Sequence, residues 1–211
     1  MQNTRSALRL SGLVLGCVGS LVGCEGDLST QLQQQDPQVM AGTSGRISNT
    51  LEAGGSVVSR VNASDATAWV YVQLQTGKEV TPQDPLHSTD WDIALQRFQI
   101  KVNGGVSGQG SVAVALLTGT PFASLSIAPK DGYVTDLPDS ADDGTEPDDA
   151  FTQGGTWYDY NMTTHVLSAK DQVYVVRSSA GAYYKLQFTG YYDQAGSSGY
   201  PTFRWQSVAA P

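Results

Sequence analysis

Two stretches near the end of the chain alternate apolar and polar residues at every second position. They are YYKLQFTGYY at 183–192 and PTFRWQS at 201–207. The residues that share one face are Tyr184, Leu186 and Phe188 in the first and Phe203 and Trp205 in the second. Because successive side chains of a β-strand point to opposite faces of the sheet, this period predicts two half-buried strands.

Further strand patterns occur upstream, and few segments have the pattern of a helix. AWVYVQLQ (68–75) alternates in the same way, while SVAVALL (111–117) and QVYVVR (172–177) are short β-branched runs bounded by Gly, Ser or Asp. No window gives a ten-residue amphipathic helix, and no repeat recurs at a fixed period. We therefore expect an all-β fold, an antiparallel β-sandwich-like single domain.

The N-terminus has the pattern of an export signal. Arg5 and Arg9 precede an apolar run over 10–22 that ends in small residues. The run is too short to span a membrane. It closes on LVGC, which resembles the lipobox of bacterial lipoproteins, and the resemblance implies cleavage before Cys24 and lipidation of that residue.

This interpretation divides the chain into a signal peptide at 1–23, a flexible tether at 24–50 and a domain at 51–211. The tether is rich in Gln, Ser, Thr and Gly and lacks sustained periodicity. Glu25 follows the lipidated cysteine, and the sorting rule of bacterial lipoproteins then points to the outer membrane of a diderm bacterium, on either face. A second lipobox ending at Cys17, or an ordinary secretory signal, is the alternative.

Composition argues against several functions. Twenty acidic against twelve basic residues give a net charge of −8, which is the wrong sign for nucleic-acid binding. Removal of Cys17 and lipidation of Cys24 leave no thiol for catalysis. The two histidines have no zinc-binding spacing, and the G-x-S-x-G elbow of serine hydrolases is absent. We expect no enzymatic activity, although spacing alone leaves a pair of glycosidase carboxylates open.

Two further stretches carry structural information. In DWDIALQRFQIKVNGG the apolar positions change parity between Leu95 and Phe98, which predicts a β-bulge near Gln96 and Arg97 or a strand buried on opposite faces. The acidic stretch 136–149 has seven carboxylates but lacks the EF-hand spacing, so we expect a solvated loop and assign no calcium ligands.

Two separated segments, 90–110 and 157–205, resemble the two hallmark blocks of the HmuY family of bacterial haem-binding lipoproteins. They are DWDIALQRFQIKVNGGVSGQG and WYDYNMTTHVLSAKDQVYVVRSSAGAYYKLQFTGYYDQAGSSGYPTFRW. The resemblance implies an all-β fold without enzymatic activity that holds one haem between strands and loops. It further implies a haemophore, which takes haem from the environment or from host haemoproteins and passes it to a TonB-dependent outer-membrane receptor. The alternative is a haem-free relative that serves as a surface or periplasmic binding or adhesion module.

The resemblance also directs attention to iron ligands, because the best-studied type of member uses two axial histidines. His165 lies inside the second block and His87 just upstream of the first, so both are axial ligand candidates. If both bind one iron, their Cα atoms must lie roughly 11 to 13 Å apart, given an Fe–N bond of about 2 Å. Other members are thought to use methionine, which makes Met162 a weak alternative. Three aromatic residues are candidates for stacking on the porphyrin, with a core position as the alternative: Trp157, Tyr158 and Tyr160.

Overall fold

A computed structural model describes residues 41–139 and 148–211. These residues form fourteen strands, one short 3₁₀ helix at Phe122–Ser124 and no α-helix. The predicted signal peptide, the predicted lipidation site Cys24 and most of the acidic stretch lie outside the described residues. In chain order the strands are β1 (Gly42–Ser44), β2 (Ile47–Leu51), β3 (Val57–Val61), β4 (Val70–Gln73), β5 (Lys78–Val80), β6 (Ile93–Gln96), β7 (Gln99–Val102), β8 (Ala113–Leu117), β9 (Tyr133–Val134), β10 (Tyr158–Asn161), β11 (Val166–Ala169), β12 (Val173–Arg177), β13 (Tyr183–Tyr192) and β14 (Ser198–Val208).

The strands form two sheets and a separate hairpin. The large sheet has the order β1-β2-β3-β14-β13-β12-β8-β9, the small sheet has the order β5-β4-β6-β7, and β10 pairs only with β11. Every ladder between these strands is antiparallel. The predicted all-β antiparallel fold is confirmed. Within the described ranges, no helix is long and apolar enough to cross a membrane.

One hydrophobic core joins the inner faces of the two sheets. In β3 the residues alternate between buried and half-buried, as a strand with one face on the core must. Trp205 and Leu186 of the large sheet belong to the same buried cluster as Val72 and Leu95 of the small sheet. Burial of each such side chain contributes about 1.5 to 3 kcal/mol, so this shared core is what holds the two sheets together.

The change of apolar parity around Gln96 arises from a tight hairpin, and the predicted bulge at this point is wrong. Gln96 pairs with Gln99, so Arg97 and Phe98 form a two-residue turn between β6 and β7. Paired positions across this turn are Leu95 with Ile100 and Ile93 with Val102, an odd position opposite an even one each time. The parity therefore changes because the chain reverses, while the apolar side chains stay on one face.

Register shifts occur instead in β13, on either side of Gly190. Before the shift the even positions face the core, as in Phe188, whereas after it Tyr191 is the buried residue. A bulge inserts an extra residue and re-aims the side chains that follow it. This irregularity gives the end of β13 an orientation that differs from the rest of the strand.

The start of the domain also differs from the prediction. The sequence assigns residues 24–50 to a flexible tether, yet β1 and β2 lie before Leu51 and pair into the large sheet. Ile47 is fully buried opposite Val61, and Arg46 forms an ion pair of 2.7 Å with Glu79. The mostly polar segment ISNTL shows little alternation, because only Ile47 reaches the core. Any tether is thus shorter than predicted.

Candidate functional site

A cleft of about 660 Å³ opens between the β10–β11 hairpin, the β6–β7 turn and the ends of β13 and β14 that face them. This volume lies within the usual range for small-molecule sites. Aromatic residues dominate the lining, which consists of Arg97, Phe98, Tyr158, Tyr160, His165, Leu167, Tyr191, Tyr192, Gly196 and Ser198.

The β10–β11 hairpin supplies one wall of the cleft. Tyr158 and Tyr160 lie two residues apart in β10, so both side chains project from the same face. The hairpin loop that follows is closed by the His165 N–H, which donates to the Asn161 carbonyl at 2.8 Å. The Asn161 side chain accepts two further backbone hydrogen bonds, from Thr163 and Thr164 at 2.9 Å each. This capping holds His165 in the left-handed conformation, with φ at 57°.

His165 and Tyr160 form a hydrogen-bonded pair at the mouth of the cleft. The Tyr160 hydroxyl lies 2.7 Å from Nδ1 of His165. The described residues provide no partner for Nε2 of the same ring. When Nδ1 carries the ring proton and donates it to the Tyr160 oxygen, Nε2 presents a lone pair toward a ligand. A histidine whose other nitrogen is held in this way is a typical ligand for a metal ion.

The end of β13 supplies the opposite wall. Tyr191 is buried, and burial raises the pKa of its hydroxyl, an effect opposed by the nearby Arg97 guanidinium. The hydroxyl of Tyr192 accepts a 2.8 Å hydrogen bond from the N–H of Leu167, which joins β11 to the large sheet. The register shift at Gly190 is what turns these two adjacent tyrosines toward the cleft region.

Arg97 supplies the positive charge of the cleft. It occupies the left-handed turn position after β6, with φ at 52°, and its N–H donates to the Ala63 carbonyl at 2.7 Å. Its guanidinium donates to the carbonyl of Ser64 at 3.2 Å and to the hydroxyl of Ser198 at 3.1 Å. Among the described lining residues Arg97 is the one permanent cation, and none is acidic.

The structure brings three of the predicted site residues together and places three outside the lining, namely Trp157, Met162 and His87. Tyr158, Tyr160 and His165 share the cleft. Trp157 does not line it: the side chain is 1% exposed, its indole N–H donates to the Phe98 carbonyl at 2.9 Å, and its ring packs on Phe188. The sequence-based assignment of Trp157 to the pocket is corrected to the core behind the cleft. Met162 is 76% exposed in the hairpin loop and is not a lining residue.

His87 lies away from the cleft. It belongs to the loop before β6, where Nδ1 is 2.8 Å from the Asp84 carboxylate and both side chains are largely exposed. Ser88, the residue after His87, accepts a 2.8 Å hydrogen bond at its carbonyl from the side chain of Asn103, which lies just after β7. The loop with His87 is therefore at the open end of the β6–β7 hairpin, whereas Arg97 is in the turn at the other end. Asp92 and Arg97, which flank β6, are five residue steps apart, a distance of about 16 Å at roughly 3.3 Å per step. The structure therefore does not assemble His87 and His165 as a ligand pair.

The two ends of the acidic stretch are buried, contrary to the solvated loop expected for it. Asp136 is fully buried and accepts backbone hydrogen bonds from Val102 and Ala150 at 2.8 and 2.7 Å. Asp149 is 4% exposed, and one of its carboxylate oxygens has no hydrogen-bond partner among the residues that the structure describes. Burial, together with the charge of Asp136, raises the pKa of Asp149 to about 7. Within 41–139 and 148–211, no three His, Cys, Asp or Glu side chains cluster as a metal site.

Sequence reasoning did not find the lining residues that come from other parts of the chain, above all Arg97, Phe98, Tyr191, Tyr192 and Ser198. Arg97 and Ser198 are 101 positions apart and meet only through tertiary packing. A local signal existed for the tyrosines, because the YY pair at 191–192 breaks the alternation of its strand. Adjacent aromatic residues after a glycine in a strand indicate a bulge that re-aims one of them.

Comparison with known proteins gives one family and several related folds. The family described as HmuY protein matches residues 65–205. No match was found among curated protein sequences.

Three solved structures have the same fold at low sequence identity. The apo HmuY analogue of Tannerella forsythia is 18% identical, with a TM-score of 0.56 over 75% of this chain and 98% of that one. A Bacteroides vulgatus protein described as HmuY-like and haem-binding is 19% identical, with a TM-score of 0.52 over 71% and 90%. A Bacteroides fragilis protein described as a lipoprotein is 19% identical, with a TM-score of 0.52 over 74% and 93%.

Proposed function

Because the chain belongs to the HmuY protein family, we propose that it binds haem, in the cleft beside the β10–β11 hairpin. A shared fold does not carry function by itself, so the proposal depends on the site. The observation that carries it is the pairing of His165 with Tyr160, which leaves Nε2 available beside a cleft lined by aromatic side chains. Imidazole is a common axial ligand of haem iron.

In this proposal His165 is the axial ligand and Tyr160 is its positioning residue. In the tautomer that leaves Nε2 free for iron, the N–H at Nδ1 of His165 would donate a hydrogen bond to the Tyr160 oxygen, 2.7 Å away, and this bond would hold the orientation of the ring. Phe98 and Tyr158 pack edge to face with ring centroids 5.8 Å apart and offer apolar area to a flat macrocycle. Bound haem would supply the iron. The protein would supply the nitrogen ligand and a cleft from which water is partly excluded.

Among the described residues, no second histidine lines the cleft that could hold the same iron together with His165. His87 lies at the far end of the β6–β7 hairpin, and we propose no ligand role for it. Met162 stands in the same loop as His165, three residues before it, and stays the weaker alternative. Two ligands from one short loop approach the same side of the iron, which argues against their use as a pair.

The biological role that we propose is that of a haemophore rather than an enzyme. The protein would be lipid-anchored through Cys24 to the outer membrane, capture haem from the surroundings or from haemoproteins, and pass it to a TonB-dependent receptor. An open cleft rimmed by exposed Phe98 and Tyr160 suits a ligand that must be released again. The structural relative described as a lipoprotein supports the anchoring part of the proposal.

Titration of haemin into the purified protein tests the haem proposal. We expect a shifted Soret band that saturates at one haemin per chain. His165→Ala should weaken binding and change the spectrum, while His87→Ala, the matched control, should change neither. Absence of a Soret shift at micromolar protein would exclude haem binding and leave a haem-free binding or adhesion module. An unaltered spectrum for His165→Ala would remove only the ligand assignment.

A further inference from the structure

We propose that Arg97 makes the cleft selective for ligands that carry an ionised carboxylate at the edge of a flat conjugated ring. This inference rests on the proposed function, since it specifies which tetrapyrroles the same cleft accepts. In haem the carboxylates are those of the two propionate side chains.

The guanidinium of Arg97 is fixed in place and still has donors to offer. Its two hydrogen bonds, to the Ser64 carbonyl and the Ser198 hydroxyl, tie it to two separate segments beside the cleft. A guanidinium has five N–H donors in a rigid fork, so these bonds leave donors for a ligand, even with the Tyr191 hydroxyl as a further neighbour. A fork that is already positioned loses little entropy when it binds a carboxylate.

Two cations among the described residues, Arg46 and Lys170, have a carboxylate partner, and Arg97 does not. Arg46 forms an ion pair of 2.7 Å with Glu79, and Lys170 lies 3.7 Å from Asp159. No carboxylate among the described residues forms an ion pair with Arg97, and none lines the cleft. The hydrogen bonds of Arg97 to neutral oxygens compensate only part of the hydration that this half-buried cation has lost, because no counter-ion faces it among the described residues. An anionic ligand would supply that compensation, in a protein whose net charge of −8 otherwise repels anions.

The neighbours of Arg97 define the rest of the ligand. Phe98 follows it in the same two-residue turn and packs against Tyr158, so a positive charge and an aromatic wall stand side by side. A ring that lies on this wall can direct a substituent at its edge toward the guanidinium. The ligand class that fits is therefore a planar aromatic acid, and a porphyrin with free propionates is a member of it.

The test compares free acids with their esters. Haemin and its dimethyl ester are titrated by absorbance, and metal-free protoporphyrin IX and its dimethyl ester by fluorescence, into wild type, Arg97→Gln and the control Arg177→Gln. Arg177 lies on the large sheet beside Tyr133, away from the cleft. We expect the wild type and the control to bind each free acid about tenfold or more tighter than its ester, as one hydrogen bond to a charged group provides. Arg97→Gln should remove that preference.

The outcomes separate this inference from haem binding itself. Equal affinity of acid and ester in the wild type overturns the role of Arg97 even if Arg97→Gln does not fold, and haem binding then stands. A preference that persists in folded Arg97→Gln also overturns it. If the protein bound protoporphyrin more tightly than its ester but gave no Soret shift with haemin, the preference for carboxylates would be supported. The proposed ligation of haem iron by His165 would then be rejected. No binding of any of the four compounds rejects both.

Discussion

The contribution of the Tyr160 hydroxyl to haemin affinity can be measured separately from that of its ring. Tyr160→Phe keeps the aromatic ring at the cleft but removes the partner of His165 Nδ1. We expect haemin affinity to fall about tenfold to a hundredfold, as for other lost partners of metal-bound histidines. Absorbance titration measures this, with Tyr183→Phe on the other side of the large sheet as control. If Tyr160→Phe bound haemin with wild-type affinity, the Tyr160 hydroxyl would not be needed to position His165.

Asp149 gives the folded protein a pH dependence with a definite sign. Burial raises its pKa from 3.8 to about 7, so the folded state holds this proton where the unfolded chain has released it. The stabilisation from the protonated carboxyl is complete below about pH 4 and is lost as pH rises through about 7. The charges that face Asp149 are Asp136, Asp148 and Lys101.

We therefore expect Asp149→Asn to stabilise the protein at pH 8 and to have little effect near pH 4. The gain in the free energy of unfolding is on the order of 2 to 4 kcal/mol at most, since each pKa unit corresponds to about 1.4 kcal/mol. Urea denaturation across this pH range measures it, and the exposed Asp139→Asn is the matched control. A stability difference that does not vary with pH would contradict the protonation argument.

At the scale of elements, Asn103 connects the end of the β6–β7 hairpin to the loop before it. This fully buried side chain donates to the carbonyls of Ser88 and Trp91 and accepts from the N–H of Gly110, at 2.8 to 2.9 Å. Asn103→Ala should lower the free energy of unfolding by about 2 to 4 kcal/mol, because it leaves buried backbone groups unpaired. Chemical denaturation checks this against the exposed Asn62→Ala, which should cost much less.

How far the sequence could predict the elements depended on how much of each strand faces the core. β13 and β14 were evident, because apolar and polar residues alternate in sequence over much of these strands, which are ten and eleven residues long. β1, β2 and β5 are short, largely polar edge or near-edge strands, whose pairing depends on neighbours that a local pattern does not contain. The turn between β6 and β7 was not predicted, because Arg97 and Phe98 are not typical residues of a two-residue hairpin turn.

The same reasoning applies to the candidate site. Tyr158, Tyr160 and His165 could be proposed from sequence because they lie in one short segment, where spacing places two tyrosines on one face. Arg97 and Ser198 could not, because their proximity depends on how β6 and β14 are placed in different sheets. His87 is the opposite case. Its residue type alone made it a candidate ligand, but the topology of the fold places it away from the cleft.

At the scale of the whole molecule, the proposed lipid anchor has a direct test in the cell. Cys24→Ser should release the protein from the membrane fraction and abolish the incorporation of radiolabelled palmitate, because the acylated thiol is lost. Cys17→Ser should retain both, since that cysteine lies in the predicted signal peptide. Membrane retention by Cys24→Ser together with loss by Cys17→Ser would assign the anchor to the alternative lipobox.

The hairpin β10–β11 pairs with no other strand in the described part of the chain. Its link to the large sheet includes the single hydrogen bond from Leu167 to the Tyr192 hydroxyl. Local opening of such a unit leaves the sheets intact, so its amides should exchange with deuterium sooner than those of β12 to β14. Binding of a ligand should then slow deuterium exchange of the hairpin amides and leave the exchange of the sheet amides unchanged. Mass spectrometry measures both rates, and it therefore reports the opening and closing of the hairpin for ligands without a chromophore as well.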